Sequence, residues 1–226
     1  MKTAILIPAR YGSTRYPGKP LCMLGGVPMI KRVYDACVAS KIPTYVLTDS
    51  QDIYNVIGAN CLLDYREYKN GTERCAGAVA KFDILDEYDQ FINVQGDMPD
   101  VTNDMILKAA GWLRYFPVST VFTHMPKEKQ ADPNTVKMVR AGDQALWFGR
   151  GMTGYGDWHL GVYGYKRNSL EMYKTLKVTV EEETEKLEQL RWLKSGWQIG
   201  CSSVQYNGVE INSPEDVDEW HIKNSQ

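Results

Sequence analysis

A chain of 226 residues with a formal net charge of −2 is long enough for one substantial core and carries no basic excess for a nucleic acid or an anionic membrane. Its five cysteines are an odd set without a C-x-x-C pair, which argues against a disulfide framework and for reduced thiols in a cytoplasmic protein. The apolar opening Ala4-Ile5-Leu6-Ile7 is cut off by Pro8 and Arg10, so neither a targeting segment nor a membrane-spanning helix is read there.

Residues 3–7 read as a short buried strand. The segment that follows, Ile7-Pro8-Ala9-Arg10-Tyr11-Gly12-Ser13-Thr14-Arg15-Tyr16-Pro17-Gly18-Lys19-Pro20, places Arg10, Arg15 and Lys19 at the strand's C-terminal end, where open α/β sheets bind ligands. Glycines let backbone N–H groups approach an anion and prolines hold such a loop extended, so a polyanion, a nucleoside triphosphate above all, is the expected ligand. The glycine spacing is that of neither a P-loop nor a dinucleotide-binding turn.

Apolar spacing predicts a helix over 27–40, a strand over 45–48, and a helix over 52–57 capped by Asp49-Ser50. A third strand, 61–63, precedes Asn70-Gly71-Thr72-Glu73-Arg74, a turn that opens a helix over 72–85. The run Phe91-Ile92-Asn93-Val94 has central-strand character and ends in Gln95-Gly96-Asp97. A carboxylate at that tip faces the same cleft as the basic loop. It suits Mg²⁺, a hard cation that takes one or two carboxylates and completes its octahedron with phosphate oxygens and water. The competing role for Asp97 is to cap the helix after Pro99, for which Thr102 is the other candidate.

A helix over 103–115, a strand over 118–124 and a hairpin turning at Gly142-Asp143 come next. Then follow a strand over 159–165, helices over 168–176 and 180–195, a last strand over 197–205, and a closing helix with Ser213 as cap and Pro214 at its first position. The expected fold is one α/β domain. It has a Rossmann-like, mostly parallel sheet flanked by helices, and a small β-hairpin lobe made by the hairpin and residues 152–156.

The loop at 7–20 closely resembles the signature loop of sugar nucleotidyltransferases that activate acidic sugars, above all the 3-deoxy-manno-octulosonate (KDO) cytidylyltransferases. Further segments resemble that family's motifs in the same order. Asn70-Gly71-Thr72-Glu73-Arg74 resembles S-G-T-E-R, and Gln95-Gly96-Asp97-Met98-Pro99 resembles Q-G-D-E-P, with Met98 in place of a carboxylate. The block 132–139 resembles N-P-N-x-V-K-V-V, and Ala145-Leu146-Trp147-Phe148-Gly149-Arg150 resembles A-L-Y-F-S-R. His159-Leu160-Gly161-Val162-Tyr163-Gly164-Tyr165 nearly repeats H-L-G-I-Y-G-Y, Leu187-Glu188-Gln189-Leu190-Arg191 equals L-E-Q-L-R, and Ile211-Asn212-Ser213-Pro214-Glu215-Asp216 resembles V-D-T-P-E-D.

The resemblance implies the nucleotide-diphospho-sugar transferase type of fold, a homodimer, and CTP with a 2-keto-3-deoxy sugar acid as substrates. The acid's anomeric hydroxyl attacks the α-phosphorus in line and releases pyrophosphate. Arg10, Ser13, Arg15, Lys19, Asn70, Gly71, Thr72, Arg74 and Gln95 are then expected on the nucleotide, with Arg10, Lys19 and Asp97 as the catalytic set and Asp97 and Asn212 on Mg²⁺. Arg150, His159, Tyr163, Glu188 and Gln189 are expected to hold the sugar acid, with general-base work by His159 an open option.

Two departures stand out. The stretch between Arg150 and His159 is shorter than the family's and lacks its further arginine, and Asn212 stands where the family has its second metal aspartate. They leave open a different acid or base, or a CTP-binding homologue without catalysis. Glu188 and Gln189, adjacent on the expected helix and about 100° apart around it, reach one ligand only if it lies across a helix end.

Overall fold

Strand β1 (Thr3–Ala9) is covered on both faces: Ala4 and Leu6 enter one hydrophobic core, Ile5, Ile7 and Ala9 the other. Such two-sided burial makes its sequence read as a continuous apolar run. The computed structural model describes residues 1–12 and 16–225. In chain order its further elements are β2 (Met23–Leu24), β3 (Val27–Pro28), α1 (Met29–Val38), β4 (Thr44–Thr48), α2 (Gln51–Ile57), β5 (Cys61–Leu63), α3 (Gly71–Val79), β6 (Gln90–Val94), α4 (Asn103–Trp112) and β7 (Val118–Thr123). The second half adds β8 (Lys137–Ala141), β9 (Gln144–Gly149), β10 (Asp157–Lys166), α5 (Arg167–Met172), α6 (Val180–Glu185), α7 (Leu190–Lys194), β11 (Ile199–Ser203) and α8 (Pro214–Asn224).

The main sheet has nine strands in the order β5-β4-β1-β6-β10-β7-β11-β9-β8. Its first four are mutually parallel, and β10 runs antiparallel between β6 and β7, so the sheet is mixed. The hairpin β8–β9, expected as a small lobe, is continuous with this sheet. It joins through β9 to β11, and β8 pairs again with the start of β10, which curls the far edge round.

Local chemistry sets the helix starts. Ser50, Asn70 and Thr102 each accept a hydrogen bond from the backbone N–H three residues on, and so cap α2, α3 and α4. With Thr102 as the cap of α4, Asp97 is left to the cleft. Residues 27–28, expected as helix, pair instead with β2, and α1 starts at Met29.

The single helix expected over 180–195 is two. Lys186 adopts a left-handed conformation (φ 56°) that closes α6, and α7 restarts at Leu190. The break is held by Arg191, only 2% exposed, whose guanidinium bonds the Glu182 carboxylate and Glu73 of α3. Among the described residues no helix is long and apolar enough to cross a membrane.

Candidate active site

Two clefts meet over the C-terminal ends of β1 and β6. One, of about 670 Å³, runs along the basic loop past Pro8, Arg10, Lys19, Gly71 and Arg74. The other, of about 540 Å³, lies further in, against His159, Tyr163, Glu188, Gln189 and Asn212. Asn70, Gln95, Asp97 and Arg150 border both.

On the loop side, Gly18 (φ 70°) supplies a left-handed turn that delivers Lys19 inward. Lys19 Nζ donates to Asp97 Oδ2 at 2.8 Å and to the Ile211 carbonyl at 2.9 Å. Asp49, just past β4, is a clamp. One of its oxygens accepts the Tyr11 N–H at 3.0 Å and the other accepts from Arg74 at 2.9 Å, so the loop is tied to α3. Arg74 is buried by this pairing and stacks over the Tyr68 ring. Ser13 and Arg15 lie outside the described residues.

Thr72 departs from expectation. It is 1% exposed and lines neither cleft, because its N–H and hydroxyl both bond the Glu188 carboxylate while Tyr165 shares the hydroxyl. Its neighbour Gly71 does line the loop-side cleft, and a Cβ there would lie 3.1 Å from both Pro8 and Gln95.

In the inner cleft β10 presents His159, Gly161 and Tyr163 at alternate positions, hence on one face. Gly161 is required by space: a Cβ there would lie 2.9 Å from the Gln95 side chain. The His159 imidazole is buried, with Nε2 2.9 Å from the Thr120 hydroxyl, which itself donates to the Val162 carbonyl. Thr120 has one proton to give, so Nε2 carries the hydrogen and Nδ1 is left as the acceptor. Burial, with Arg150's charge second, pushes this imidazole down to about 3. The imidazole is therefore neutral at neutral pH and accepts hydrogen bonds.

Glu188 and Gln189 lie where α6 and α7 separate, with Gln189 at the N-cap of α7. Glu188 is engaged by Thr72 and by Gln95 Nε2 at 3.3 Å, and burial raises its carboxyl above the ordinary value. Tyr163 donates to Gln189 Oε1, and the buried Gln189 Nε2 has no hydrogen-bond partner among the described residues. Gln189 itself lines the inner cleft. Arg150 is held at its backbone N–H by the Glu185 carboxylate and at its guanidinium by the carbonyls of Glu185 and Asn134, and it lines both clefts.

Asp97, Asn212 and Glu210 all line the inner cleft, Asp97 where it meets the loop-side cleft. Among the described residues no three His, Cys, Asp or Glu side chains form a ready metal cluster. The set fits Mg²⁺ as it is usually held, by one or two carboxylates together with substrate phosphates. Burial first, and Asp97 second, raise the Glu210 carboxyl to about 7.

The sequence reading passed over Asp49, Arg191 and Glu210. Asp49 stands at the C-terminal end of a strand, the signal that singled out Asp97, but was read as a helix cap. Arg191 closes a motif read for its Glu-Gln pair. Glu210 precedes the last motif and had no signal.

Comparison with known proteins bears on the same features. The family model described as Cytidylyltransferase matches residues 4–199. The 3-deoxy-manno-octulosonate cytidylyltransferase of Brucella ovis is 37% identical, over 96% of this chain and 94% of its own, and that of Brucella anthropi is 35% identical over 98% and 96%. A solved CMP:2-keto-3-deoxy-manno-octonic acid synthetase complexed with CTP superposes with a TM-score of 0.90 at 30% identity, over 100% of this chain and 99% of that one. The 4-diphosphocytidyl-2C-methyl-D-erythritol synthase of Anaerococcus prevotii, at 14% identity and a TM-score of 0.66, shares the fold. The chain belongs to the cytidylyltransferase family.

Proposed function

We propose that this chain transfers CMP from CTP to the anomeric hydroxyl of a 3-deoxy-2-keto sugar acid, KDO or a relative, and releases pyrophosphate. The observation that carries this reading is the position of Asp97 where a cation-lined cleft meets an inner cleft that carries His159, Tyr163 and Gln189. A triphosphate laid along the first brings its α-phosphorus to the mouth of the second.

Arg10 and Lys19 bind the phosphates and stabilise the charge that builds on the leaving pyrophosphate. Asn70, Gly71 and Gln95 border the nucleotide, and Arg74 acts through Asp49 on the loop. Asp97 and Asn212 hold Mg²⁺, which when bound neutralises phosphate charge and favours attack at phosphorus. Arg150 pairs with the acceptor's carboxylate. His159 accepts from one of its hydroxyls through Nδ1, and Gln189, set by Tyr163, donates through Nε2. Holding the acceptor in line is worth up to about 7–11 kcal/mol in well-aligned cases. Glu188 keeps Gln95 and Thr72 in place beneath it. On this reading the enzyme works in the cytoplasm as a homodimer, and light scattering measures the latter.

A second reading keeps the chemistry and changes the acid. The stretch from Gly151 to Trp158, shorter than the family's and without its further arginine, is the departure that favours it. The experiment is pyrophosphate release with CTP, Mg²⁺ and KDO, scanned against UTP, ATP and related 2-keto-3-deoxy acids, with the product checked by mass. Release with CTP and KDO is expected, and release with one other acid selects the second reading. A melting shift by CTP without turnover on any acid overturns both in favour of a binding protein.

A further inference from the structure

We propose that Glu210 is the second carboxylate ligand of the divalent cation, in the role that Asn212 leaves without charge. The inference rests on the metal reading above. Its basis is how the segment 209–212 is anchored. The Ile211 side chain is fully buried with Leu24, Met29, Val209 and Trp220. Its backbone N–H donates to the Asp97 carbonyl at 3.0 Å, and its carbonyl accepts from Lys19 Nζ. Residue 211 is thus fixed by both its side chain and its backbone, against the residue that carries the first carboxylate. The residues on either side, Glu210 and Asn212, both line the inner cleft with Asp97.

The Glu210 carboxylate accepts no hydrogen bond from the described residues. The charges it feels are Asp97, which repels it, and Lys129, Arg150 and Lys19, which attract it. Two carboxylates facing one cleft favour a counter-ion between them. Asp97 already holds Lys19 Nζ, so the cationic slot on its side has a tenant when no metal is bound. Among the described residues Glu210 has none at bonding distance. An amide oxygen at 212 supplies geometry without charge, and a carboxylate two residues earlier supplies the charge. Together with Asp97 they give three oxygens, and triphosphate oxygens and water complete a six-coordinate shell.

The test is Mn²⁺ binding followed by electron paramagnetic resonance, with CTP and no acceptor, counting ions beyond those CTP alone takes up. Glu210→Gln is expected to weaken Mn²⁺ binding in the CTP complex by at least about tenfold. Calorimetry of metal-free CTP binding should be unchanged, which shows that the variant is folded. Adding Asn212→Asp to Glu210→Gln should restore most of the lost affinity, because a carboxylate is returned to the site. Unchanged Mn²⁺ binding by Glu210→Gln, with only the KM for the acid raised, would make Glu210 an acceptor contact and overturn the assignment. No bound Mn²⁺ on the wild-type chain with CTP would overturn the assignment and the metal reading together, while leaving CTP binding itself standing.

Discussion

The two halves of the cleft are built differently. The loop side is assembled from segments at neighbouring parallel strand ends, and two of its cations are already paired, Lys19 with Asp97 and Arg74 with Asp49. The inner side is assembled from β10, the α6–α7 break and the segment 210–212, and it holds unspent hydrogen-bonding capacity at His159 Nδ1 and Gln189 Nε2. Paired charges preorganise a site for a ligand of fixed shape, a triphosphate. Unsatisfied neutral groups await a ligand that varies from one family member to the next. Damage to the two sides should therefore read out differently.

The largest effect is expected on the inner side. Arg191 joins α7 to Glu182 of α6 and Glu73 of α3 in a buried cluster. Arg191→Met leaves two carboxylates unpaired and should destabilise the fold by about 3–5 kcal/mol, seen in urea unfolding. At temperatures where the variant remains folded, KM for the acid should rise more than KM for CTP, since the α6–α7 break positions Glu188 and Gln189. Equal effects on both would show that the two sides are not separable.

On the loop side, Lys19→Ala should cut kcat by about 10²–10³ with little loss of stability, the scale seen when one transition-state charge contact is removed. The Asp49 clamp acts one step away. Asp49→Asn keeps shape and loses the ion pair with Arg74, so KM for CTP should rise by about tenfold while kcat and the KM for the acid change little; an unmoved CTP value would free the loop from Asp49. Tenfold corresponds to about 1.4 kcal/mol.

Acid titration isolates one inner group. The His159 imidazole is pushed from 6.5 down to about 3, so below pH 6.5 the unfolded chain binds a proton that the native chain refuses. Its contribution to stability is present above pH 6.5 and is lost as pH falls toward 3, by about 1.4 kcal/mol per pH unit. Glu210 has the opposite sign. Its carboxyl is raised from 4.5 to about 7, so the native chain keeps a proton that the unfolded chain has released, and stability is lost as pH rises through that window. The two slopes overlap, and only the difference between wild type and His159→Gln isolates the histidine. The stability advantage of wild type over the variant should fall by about 1.4 kcal/mol per pH unit between pH 6 and 4; parallel curves would mean that His159 is solvated.

Most of the loop side was legible in the sequence because local rules make it. A cation-rich Pro/Gly loop after an apolar run, and a carboxylate at a central strand tip, each follow from one segment read alone. Asn70 was legible both as turn and as motif, and Thr102 as a cap. The inner side was less legible because long-range contacts decide it. Residues 180–195 have good helix formers throughout, and nothing local foretells a left-handed Lys186. The break is held by Arg191 reaching Glu73, more than a hundred positions away in sequence. Thr72 sits inside a family motif but is turned under Glu188, a partner that the motif does not contain.

The smallest predicted effect tests where the halves join. Asn212 lines the inner cleft with Asp97, and its N–H is held by Asp216 at 2.7 Å, so the backbone is set whatever the side chain carries. An amide lends Mg²⁺ an oxygen and no charge, which shifts the burden to the triphosphate and to the other carboxylates. Asn212→Asp should therefore lower the Mg²⁺ concentration needed for half-maximal rate by a few-fold and narrow any advantage of Mn²⁺, with kcat at saturating metal nearly unchanged. The gain is small if Glu210 already supplies the missing charge, and larger in the Glu210→Gln background. A magnesium curve that moves in neither background would remove residue 212 from the metal site and leave Asp97 as the one carboxylate that the two halves share.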